Sequence, residues 1–333
     1  MSILNKIRGT NIGFNLGRAF LSNRFVVNNG LYKKAYDKKI KKIIKNWNNK
    51  PPMSLDIGTT NACNSNCVMC PHHLLKEIGF MDMNLYKKII DNCASFGIKN
   101  VVLSFFGEPL LDQTIIEKIK YAKEKGLNVS FYSNASLLKP EISKQLIESG
   151  LDGITISFDA YSKEIYEKIR VGLNFDVTSD NILKFIEMRK AMNLKNPTLS
   201  LVLVELDENR KEIKKFYARW KKIADSVNII NQRNWTGDLD KDSEKSFHFK
   251  KQRRWPCAFI WQKLVVDWNG DVVLCCDDWN HREVLGNLKD KNIEDIWFGA
   301  RLKEIREAHL NSEFNKVPLC LGCNKKTIWW LLN

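Results

Sequence analysis

The sequence is poor in features that mark several common classes of protein. No run of about 18 consecutive apolar residues occurs in the chain, so a membrane-spanning helix is not expected. Glycine (17 residues) and proline (8 residues) are too sparse for a fibrous or low-complexity protein. The chain begins without a basic-then-apolar signal peptide and its small-residue cleavage site, so we expect a cytoplasmic protein with reduced thiols. Its nine cysteines therefore need an explanation other than disulfide bonds.

Acidic residues are nearly absent from the first 50 positions. Twelve Lys or Arg residues face a single acid, Asp37, so this segment carries +11 of the net charge of +15. Apolar residues recur here at helical spacing, and lysines fill the positions between them. The apolar residues are Tyr32, Tyr36, Ile40, Ile43, Ile44 and Trp47. The stretch 12–27 before them is also fairly apolar. These patterns predict a basic helical segment over residues 1–52.

The basic segment leaves two interpretations open. It can pack on the main domain with a solvated basic face, or it can make a peripheral contact with the inner face of a membrane or with an anionic partner through residues 1–50. A nucleic-acid partner is not expected, because the charge belongs to one terminal segment and does not surround a site.

Strand-like and helix-like patterns alternate from about residue 53 onward. The predicted strands are Ser54–Ile57, 100–105, 127–132, 153–158, 198–204 and 227–230. The predicted helices between them are 85–96, 115–125, 142–149, 181–192 and 210–224. This order predicts the α/β class, with a parallel sheet and crossover helices. Six units instead of the eight of a closed barrel predict a partial (β/α)6 TIM-like barrel, with chemistry at the carboxyl ends of the strands.

Composition divides the rest of the chain. Residues 53–235 form the predicted barrel, and the polar and charged stretch 236–254 is interpreted as a linker. The tail, 255–333, is rich in Cys and Trp, and it contains a hairpin pattern with Asn269-Gly270 as the turn. We expect this tail to be a small α+β domain.

Three cysteines follow the first predicted strand with the spacing Cys63-x3-Cys67-x2-Cys70. Structural zinc needs four ligands, and although His72 and His73 are close, no fourth ligand completes a familiar zinc spacing. Three thiolates on a four-iron cluster leave one iron open for chemistry.

This spacing resembles the signature of the radical S-adenosylmethionine (SAM) superfamily. The segment Phe106-Gly107-Glu108-Pro109 resembles the Gly-Gly-Glu-Pro motif of that family, with Phe106 in place of the first Gly. Met69 also departs from the family, which commonly has an aromatic residue there. The resemblance covers about residues 53–232. It includes no match to the family's Gly-x-Ile-x-Gly motif at 201–205.

The resemblance implies which residues bind the cofactors. Cys63, Cys67 and Cys70 would bind a 4Fe–4S cluster, and the Gly107-Glu108 segment would contact the methionine amino group of SAM. Further contacts with SAM are expected from residues at strand ends and in a Lys-Ile-Arg segment, namely Ser133, Asn134, Ser157, Asp159 and Arg170. Ser157 and Asp159 stand where the family often has ribose contacts.

The tail carries a second set of cysteines: Cys257, Cys275, Cys276, Cys320 and Cys323. It resembles the C-terminal SPASM domain, or its shortened twitch form, of radical SAM enzymes. On that resemblance we expect an auxiliary 4Fe–4S cluster on Cys257, Cys275, Cys320 and Cys323, with a structural zinc site as the alternative. Cys276 would point away from its neighbour and becomes a candidate catalytic thiol. Cys93 fits the core of an amphipathic helix.

The family resemblance also implies the reaction. Reductive cleavage of SAM gives a 5′-deoxyadenosyl radical, which abstracts hydrogen from the substrate. The short, one-cluster tail resembles that of dehydrogenases of aminocyclitol and sugar pathways. This resemblance favours oxidation of a small polar, sugar/aminocyclitol-like or glycan-like substrate, with anionic and lipid-linked substrates included, and flavodoxin or ferredoxin as reductant. The alternatives are a peptide-modifying maturase, a radical epimerase that uses Cys276, and a non-catalytic iron–sulfur or zinc scaffold.

Overall fold

The computed structural model describes residues 30–47, 49–239 and 256–323. The apolar stretch 12–27 and residues 240–254 of the predicted linker lie outside the described residues, as do the side chains of Tyr32 and Trp47. The described part is a mixed α/β structure with a parallel sheet, consistent with the predicted partial TIM barrel.

Strands and helices alternate along the chain as the sequence predicts, except that the short helix Lys163–Ile169, which was not predicted, precedes the predicted helix between the fourth and fifth strands. The strands of the barrel are β1 (Ser54–Ile57), β2 (Asn100–Leu103), β3 (Asn128–Ser133), β4 (Gly153–Ser157), β5 (Thr198–Glu205) and β6 (Ser226–Asn231). The helices up to β6 are α1 (Gly30–Trp47), α2 (Met83–Phe96), α3 (Ile115–Glu124), α4 (Pro140–Glu148), α5 (Lys163–Ile169), α6 (Phe175–Ala191) and α7 (Ile213–Trp220).

The tail contributes β7 (Lys263–Val266), β8 (Asp271–Val273), β9 (Val284–Asn287), α8 (Ile293–Trp297), α9 (Ala300–Leu310) and α10 (Pro318–Leu321). The strand order in the sheet is β6-β5-β4-β3-β2-β1-β7-β8-β9. The predicted hairpin is therefore the β7–β8 pair, with Gly270 at φ +92° in its turn. It does not stand apart from the barrel, because β7 pairs in parallel with β1 and extends the same sheet.

The two faces of the barrel sheet differ in burial because successive strand side chains point to opposite sides. The outer face packs on the helices and supplies much of the core, including Leu55, Val101, Leu103, Phe131, Ile154, Ile156, Leu199 and Leu201. The inner face, which points away from the helices, is half-buried or exposed; its residues are Asp56, Val102, Ser130, Tyr132, Thr155, Ser157, Ser200, Val202, Val204, Asn228 and Ile230. The inner face therefore borders the open interior of the barrel.

Helix α1 packs its apolar residues against the body of the protein. Tyr36, Ile40 and Ile43 are buried in the main core, and the Tyr36 hydroxyl donates a hydrogen bond to the Pro256 carbonyl. Over residues 30–47 the segment is thus a helix whose apolar side packs on the main domain. Within the described ranges, no helix is long and apolar enough to cross a membrane.

One histidine ties the loop after β8 to the β7–β8 turn. His281 Nε2 lies 2.8 Å from Asp267 Oδ2, and its Nδ1 lies 3.1 Å from Asp271 Oδ2. These contacts with Asp267 and Asp271 outweigh burial and raise the pKa of His281 above its usual 6.5. The imidazolium form is thus favoured by folding.

This raised pKa predicts a pH-dependent contribution to stability. A group whose folded pKa is raised stabilises fully below its unfolded pKa and loses that contribution as pH rises through the folded pKa. We expect the melting temperature of the wild type to exceed that of His281→Asn at about pH 6, and the gap to narrow toward about pH 9. Asn tolerates the backbone φ of +54° at this position. A gap that widens with rising pH would contradict the prediction.

Candidate active site

The three cysteines of the first motif lie in the loop after β1, at the carboxyl end of the sheet. Backbone hydrogen bonds hold this loop against the end of α5. Asn66 N donates to Val171 O at 2.8 Å, and Val68 N donates to Ile169 O at 3.0 Å. The loop therefore has a fixed path beside the residues that follow β4.

The thiols of Cys63 and Cys70 lie in a buried environment that opposes the charged thiolate form unless a cation is present. Burial raises the pKa of Cys63 to about 11 and that of Cys70 to about 12. A cation-bearing iron–sulfur centre compensates this penalty because thiolate ligands are deprotonated by the metal they bind. Three sulfur donors on one loop thus fit a cluster of iron and sulfide.

The arrangement of the described side chains does not favour a site for a single metal ion. Within residues 30–47, 49–239 and 256–323, no three His, Cys, Asp or Glu side chains are arranged to hold a metal ion. The assignment of Cys63, Cys67 and Cys70 to a four-iron cluster therefore rests on the sulfur donor set, and it stays a prediction residue by residue.

Gly107 lies directly against the cysteine loop. Its φ is +102°, and a Cβ atom there would stand 2.6 Å from Thr60 O and 2.7 Å from Ala62 O. The next residue, Glu108, donates its backbone N–H to Ala62 O at 2.8 Å. Only glycine allows this close approach, which brings the Gly107-Glu108 segment to the entrance of the loop.

The carboxylate of Glu108 is buried and joins β2 to β3. It accepts hydrogen bonds from Ser133 Oγ at 2.7 Å and from the backbone N–H of Asn134 at 2.6 Å. Burial raises the pKa of Glu108, and these donors offset part of that effect. The structure thus brings Glu108, Ser133 and Asn134 together, as their positions at strand ends predict.

The Asn134 side chain is hydrogen-bonded to the cysteine loop. Its Nδ2 donates to Asn64 Oδ1 at 2.9 Å, and its Oδ1 accepts from Ser136 N at 2.9 Å. Asn64 stands next to Cys63. In this arrangement both ends of the Asn134 amide are bonded to protein, which gives Asn134 a positioning role; direct contact with SAM stays a prediction.

Asp159 and Arg170 form a buried ion pair behind Cys67. The Arg170 Nε donates to Asp159 Oδ2 at 2.5 Å, and the other oxygen, Oδ1, accepts from Val204 N at 2.6 Å. The Arg170 Nη1 lies 3.5 Å from Cys67 Sγ. Burial alone lowers the pKa of Arg170, but the charges of Asp159 and Cys67 outweigh it and raise that pKa.

These contacts suggest a different use for Asp159 than the one expected from the sequence. Its side chain is fully buried, and both carboxylate oxygens are engaged by Arg170 and Val204. The carboxylate therefore orients Arg170 toward Cys67. A ribose contact by Asp159, which the family resemblance implies, stays a prediction.

Ser157 ends β4 on the inner face and is half-buried. Within the described ranges its hydroxyl makes no hydrogen bond, in contrast to Ser133, whose hydroxyl is bonded to Glu108. An unbonded hydroxyl at the carboxyl end of a barrel strand is available to a ligand.

We expect Ser157→Ala to weaken SAM binding by about 1 kcal/mol, which is about fivefold in Kd, because one hydrogen bond to the ligand is lost. Anaerobic calorimetry on the reconstituted protein measures this change. Ser200→Ala is the matched control, since Ser200 lies on the same inner face but its hydroxyl is 2.7 Å from that of Ser226. A lowered melting temperature with unchanged SAM affinity would assign Ser157 to the fold.

Sequence reasoning missed a cluster of aromatic residues beside the cysteine loop. The Phe106 ring lies 5.1 Å from that of Trp235 and 6.5 Å from that of Trp279. Trp235 also donates its Nε1–H to the Met69 carbonyl at 2.6 Å, inside the three-cysteine motif. The only local signal was Phe106 in place of the family's Gly. The cluster joins the cysteine loop, the segment after β6 and the tail.

The tail cysteines fall on separate elements of the C-terminal part. Cys257 precedes the 3₁₀ helix Ala258–Trp261, and its backbone N–H donates to His309 Nδ1 at 3.1 Å. Cys275 follows β8, while Cys320 lies in α10 and Cys323 just after it. Cys275 and Cys320 pack against the main core. Their joint ligation of an auxiliary cluster stays a prediction.

Cys276 lies beside Arg233, which follows β6. The Arg233 Nη1 is 3.3 Å from Cys276 Sγ and 2.7 Å from Asp277 Oδ1. The negative charges of Cys276 and Asp277 raise the pKa of Arg233. This geometry places Cys276 near the carboxyl end of the barrel, and a catalytic role for its thiol stays a prediction.

Two curated proteins are similar to this chain over most of its length. The chain is 24% identical over 311 residues to the tungsten-containing aldehyde ferredoxin oxidoreductase cofactor-modifying protein of Pyrococcus furiosus, with 81% of this chain and 86% of that protein covered. It is 22% identical over 279 residues to the S-adenosyl-L-methionine-dependent 2-deoxy-scyllo-inosamine dehydrogenase of Niallia circulans, with 82% and 93% covered.

Two solved structures share the fold. SuiB of Streptococcus suis bound to S-adenosylmethionine has a TM-score of 0.65 at 15% identity, and the match covers 94% of this chain and 81% of SuiB. BtrN in complex with AdoMet and 2-DOIA has a TM-score of 0.56 at 20% identity, with 83% and 94% covered. At these identities the likeness establishes the fold alone.

The family matches fall on the predicted parts of the chain. Residues 57–219 match the radical SAM superfamily, and residues 257–324 match SPASM, the iron–sulfur cluster-binding domain. The two matches indicate a SAM-binding 4Fe–4S cluster and an auxiliary cluster, which confirms the cofactors expected from the cysteine motifs. The chain therefore belongs to the radical SAM superfamily, and it carries a C-terminal SPASM domain.

Proposed function

We propose that this radical SAM enzyme oxidises a small polar substrate of the sugar or aminocyclitol kind. The observation that carries the proposal is a group of hydroxyl-bearing side chains on the inner face of the barrel. Hydroxyl groups from three neighbouring strands lie there, on Ser130, Tyr132, Thr155, Ser157 and Ser200. Tyr132 is 46% exposed although it lies within a strand of the barrel.

The hydroxyl groups lie in register across the strands. Tyr132 is paired with Thr155, and Thr155 with Ser200, so these three side chains share one row. The hydroxyl of Tyr132 makes no hydrogen bond within the described part of the chain. An aromatic ring with an unbonded hydroxyl and neighbouring aliphatic hydroxyls suits a ligand that has many hydroxyl groups and an apolar ring face.

When bound, SAM and the two clusters supply a hydrogen-abstracting radical and a one-electron acceptor. We propose that Cys63, Cys67 and Cys70 hold the first cluster while Gly107, Glu108 and Ser157 border the SAM site. We further propose that Cys257, Cys275, Cys320 and Cys323 hold the auxiliary cluster. The aromatic residues Phe106, Trp235 and Trp279 limit the access of water between these two regions.

The relatives support this proposal at the level of similarity. One relative is named as a SAM-dependent 2-deoxy-scyllo-inosamine dehydrogenase, and nearly all of its length is covered. Oxidation removes two electrons and two protons from the substrate. With SAM bound at Gly107, Glu108 and Ser157, its radical would take one hydrogen atom. A cluster held by Cys257, Cys275, Cys320 and Cys323 would take the second electron, and one proton would go to solvent. A flavodoxin- or ferredoxin-type protein supplies the first electron, and the cytoplasmic location stays a prediction.

The contact between Cys276 and Arg233 favours a second candidate, a radical epimerase. An epimerase returns a hydrogen atom to the opposite face of the substrate carbon, and a thiol is a suitable donor. Cys276 is half-buried near the carboxyl end of β6, through its contact with Arg233. A peptide-modifying maturase, the third possibility raised by the sequence, has the fold of SuiB in its support.

The fate of deuterium in an aminocyclitol substrate tests oxidation against epimerisation. We expect a product lighter by two hydrogens, with no solvent deuterium on carbon. In Cys320→Ala/Cys323→Ala we expect SAM cleavage to continue while product formation falls at least about tenfold, because the second electron has no acceptor. Cys276→Ala is the matched control and should leave oxidation intact. A product of unchanged composition that gains one solvent deuterium, and loses this gain in Cys276→Ala, would replace the oxidation proposal by epimerisation.

A further inference from the structure

Helix α1 keeps a lysine surface that the fold does not use. Its apolar residues Tyr36, Ile40 and Ile43 are covered by the core. The opposite side, here called the basic face, consists of five exposed lysines: Lys34, Lys38, Lys41, Lys42 and Lys45. In the parts of the chain that the structure describes, no ion pair involves any of these five.

The basic face is unfavourable for the helix itself. Gly30–Trp47 contains seven Lys and one Asp, a net charge of +6 from 7 − 1. Lys34 and Lys38, Lys38 and Lys42, and Lys41 and Lys45 are like-charged pairs at a spacing of four residues, and each such pair destabilises a helix. These lysines lower the stability of the helix and have no ion-pair partner within the described residues. Such a concentration of positive charge indicates an anionic partner outside the chain.

Helix α1 lies next to the segment that contains Cys257, which bears on the kind of anionic partner that its lysines would bind. The helix contacts the 3₁₀ helix Ala258–Trp261, and the Tyr36 hydroxyl is bonded to the carbonyl of Pro256. Pro256 directly precedes Cys257, one of the proposed ligands of the auxiliary cluster. Helix α1 is therefore bonded, through the side opposite its basic face, to the segment that precedes a proposed ligand of the auxiliary cluster.

We propose that the basic face of α1 docks an acidic one-electron carrier protein of the flavodoxin or ferredoxin class. This proposal rests on the oxidation proposed above. Each turnover leaves one substrate electron on the auxiliary cluster, so the cluster must pass it on before the next turnover. The oxidised carrier gains that electron and the auxiliary cluster returns to its oxidised form, with no bond made or broken.

A membrane surface fits the same helix less well. Amphipathic helices bind bilayers by burying their apolar face at the headgroup boundary, and in α1 that face is occupied by the core. What remains is charge alone, which matches an acidic protein surface and guides its encounter.

The test uses the full reconstituted chain and an oxidised acidic flavodoxin as the probe. The variant Lys38→Gln/Lys41→Gln/Lys42→Gln/Lys45→Gln removes four charges from the basic face. The matched control, Lys120→Gln/Lys195→Gln/Lys214→Gln/Lys215→Gln, removes four exposed charges elsewhere. We expect the Kd for flavodoxin, measured by flavin fluorescence, to rise about tenfold or more in the first variant and less than about twofold in the control. The wild-type affinity should fall as salt is raised from about 50 to about 300 mM.

A second measurement separates failure of docking from failure of the proposed function. Cys63→Ala/Cys67→Ala/Cys70→Ala, once reduced with dithionite, should pass one electron per chain to flavodoxin, and the four Lys→Gln changes should slow that step. If this variant holds no iron, the auxiliary cluster and the oxidation proposal fail. If it holds iron but the two lysine sets act alike, only the docking proposal is overturned. Binding to phosphatidylglycerol vesicles without binding to flavodoxin would overturn it as well.

Discussion

Replacing Cys63, Cys67 and Cys70 together by Ala is expected to abolish SAM cleavage and to halve the iron content. With one 4Fe–4S cluster at each cysteine set, the reconstituted wild type should hold about eight iron and eight sulfide per chain, and the variant about four of each. Activity should fall below detection because the remaining cluster has no open iron for SAM. Anaerobic iron and sulfide analysis, together with assay of 5′-deoxyadenosine, measures both results.

The structure explains why this loss should stay local. The cysteine loop is held by backbone hydrogen bonds to Ile169 and Val171 and by the Trp235 contact with Met69. None of these contacts uses a cysteine side chain. The core of the barrel and the tail should therefore fold in the variant, and its circular dichroism should match that of the wild type.

Cys93→Ala is the matched control for this experiment. Cys93 is fully buried in α2, and burial raises its pKa, so it is a core residue without a ligand role. The control should keep about eight iron and full SAM cleavage. Loss of all iron in the triple variant, or retention of all of it, would contradict the assignment of two independent cluster sites.

Arg170→Met is expected to give the largest loss of stability among the site residues. It leaves the carboxylate of Asp159 buried without its cationic partner, and breaking such a pair costs about 3–5 kcal/mol. The side chain of Asp159 is 0% exposed and that of Arg170 is 10% exposed, so solvent screens the pair poorly. The midpoint of thermal or urea unfolding under anaerobic conditions measures the effect.

Two further variants make this prediction specific. Arg210→Met breaks an exposed ion pair with Asp207, whose side chain is 63% exposed, and should cost about 0–1 kcal/mol. Arg170→Met/Asp159→Asn removes both charges and should recover part of the lost stability. A small stability loss with strongly weakened SAM binding in Arg170→Met would show that Arg170 acts mainly on the cofactor, as the family resemblance implied.

The cysteine motif can be recognised from the sequence alone, whereas the ion pair between Asp159 and Arg170 cannot. The spacing Cys63-x3-Cys67-x2-Cys70 is local and needs no fold to be read. The same holds for the alternation of strands and helices. Strand β1 has the predicted bounds, and the other barrel strands differ from prediction by one or two residues at their ends. The periodicity of apolar residues and the positions of turn residues are sufficient to predict these bounds, because each depends only on residues close together in the chain.

For several site residues the sequence predicts the position in the fold but not the hydrogen-bond partners of the side chain. The sequence put Glu108, Ser133, Asn134 and Asp159 at strand ends, and there they lie. It could not show that the Glu108 carboxylate is bonded to Ser133, or that Asp159 orients Arg170. The end of a strand determines the backbone position of a residue. The hydrogen-bond partners of its side chain depend on the neighbouring strands and on burial, because burial raises the free-energy cost of an unpaired polar group.

The sequence by itself thus determined the cofactor chemistry, the α/β class and the order of the elements. The tertiary structure alone decided that β7 pairs with β1, that Phe106 meets Trp235 and Trp279, and that the apolar side of α1 is covered. Tyr36 and Pro256 are 220 positions apart in the chain. Contacts of such separation leave no periodic trace in the sequence, because they are selected by the shape and burial of surfaces that exist only after the chain has folded.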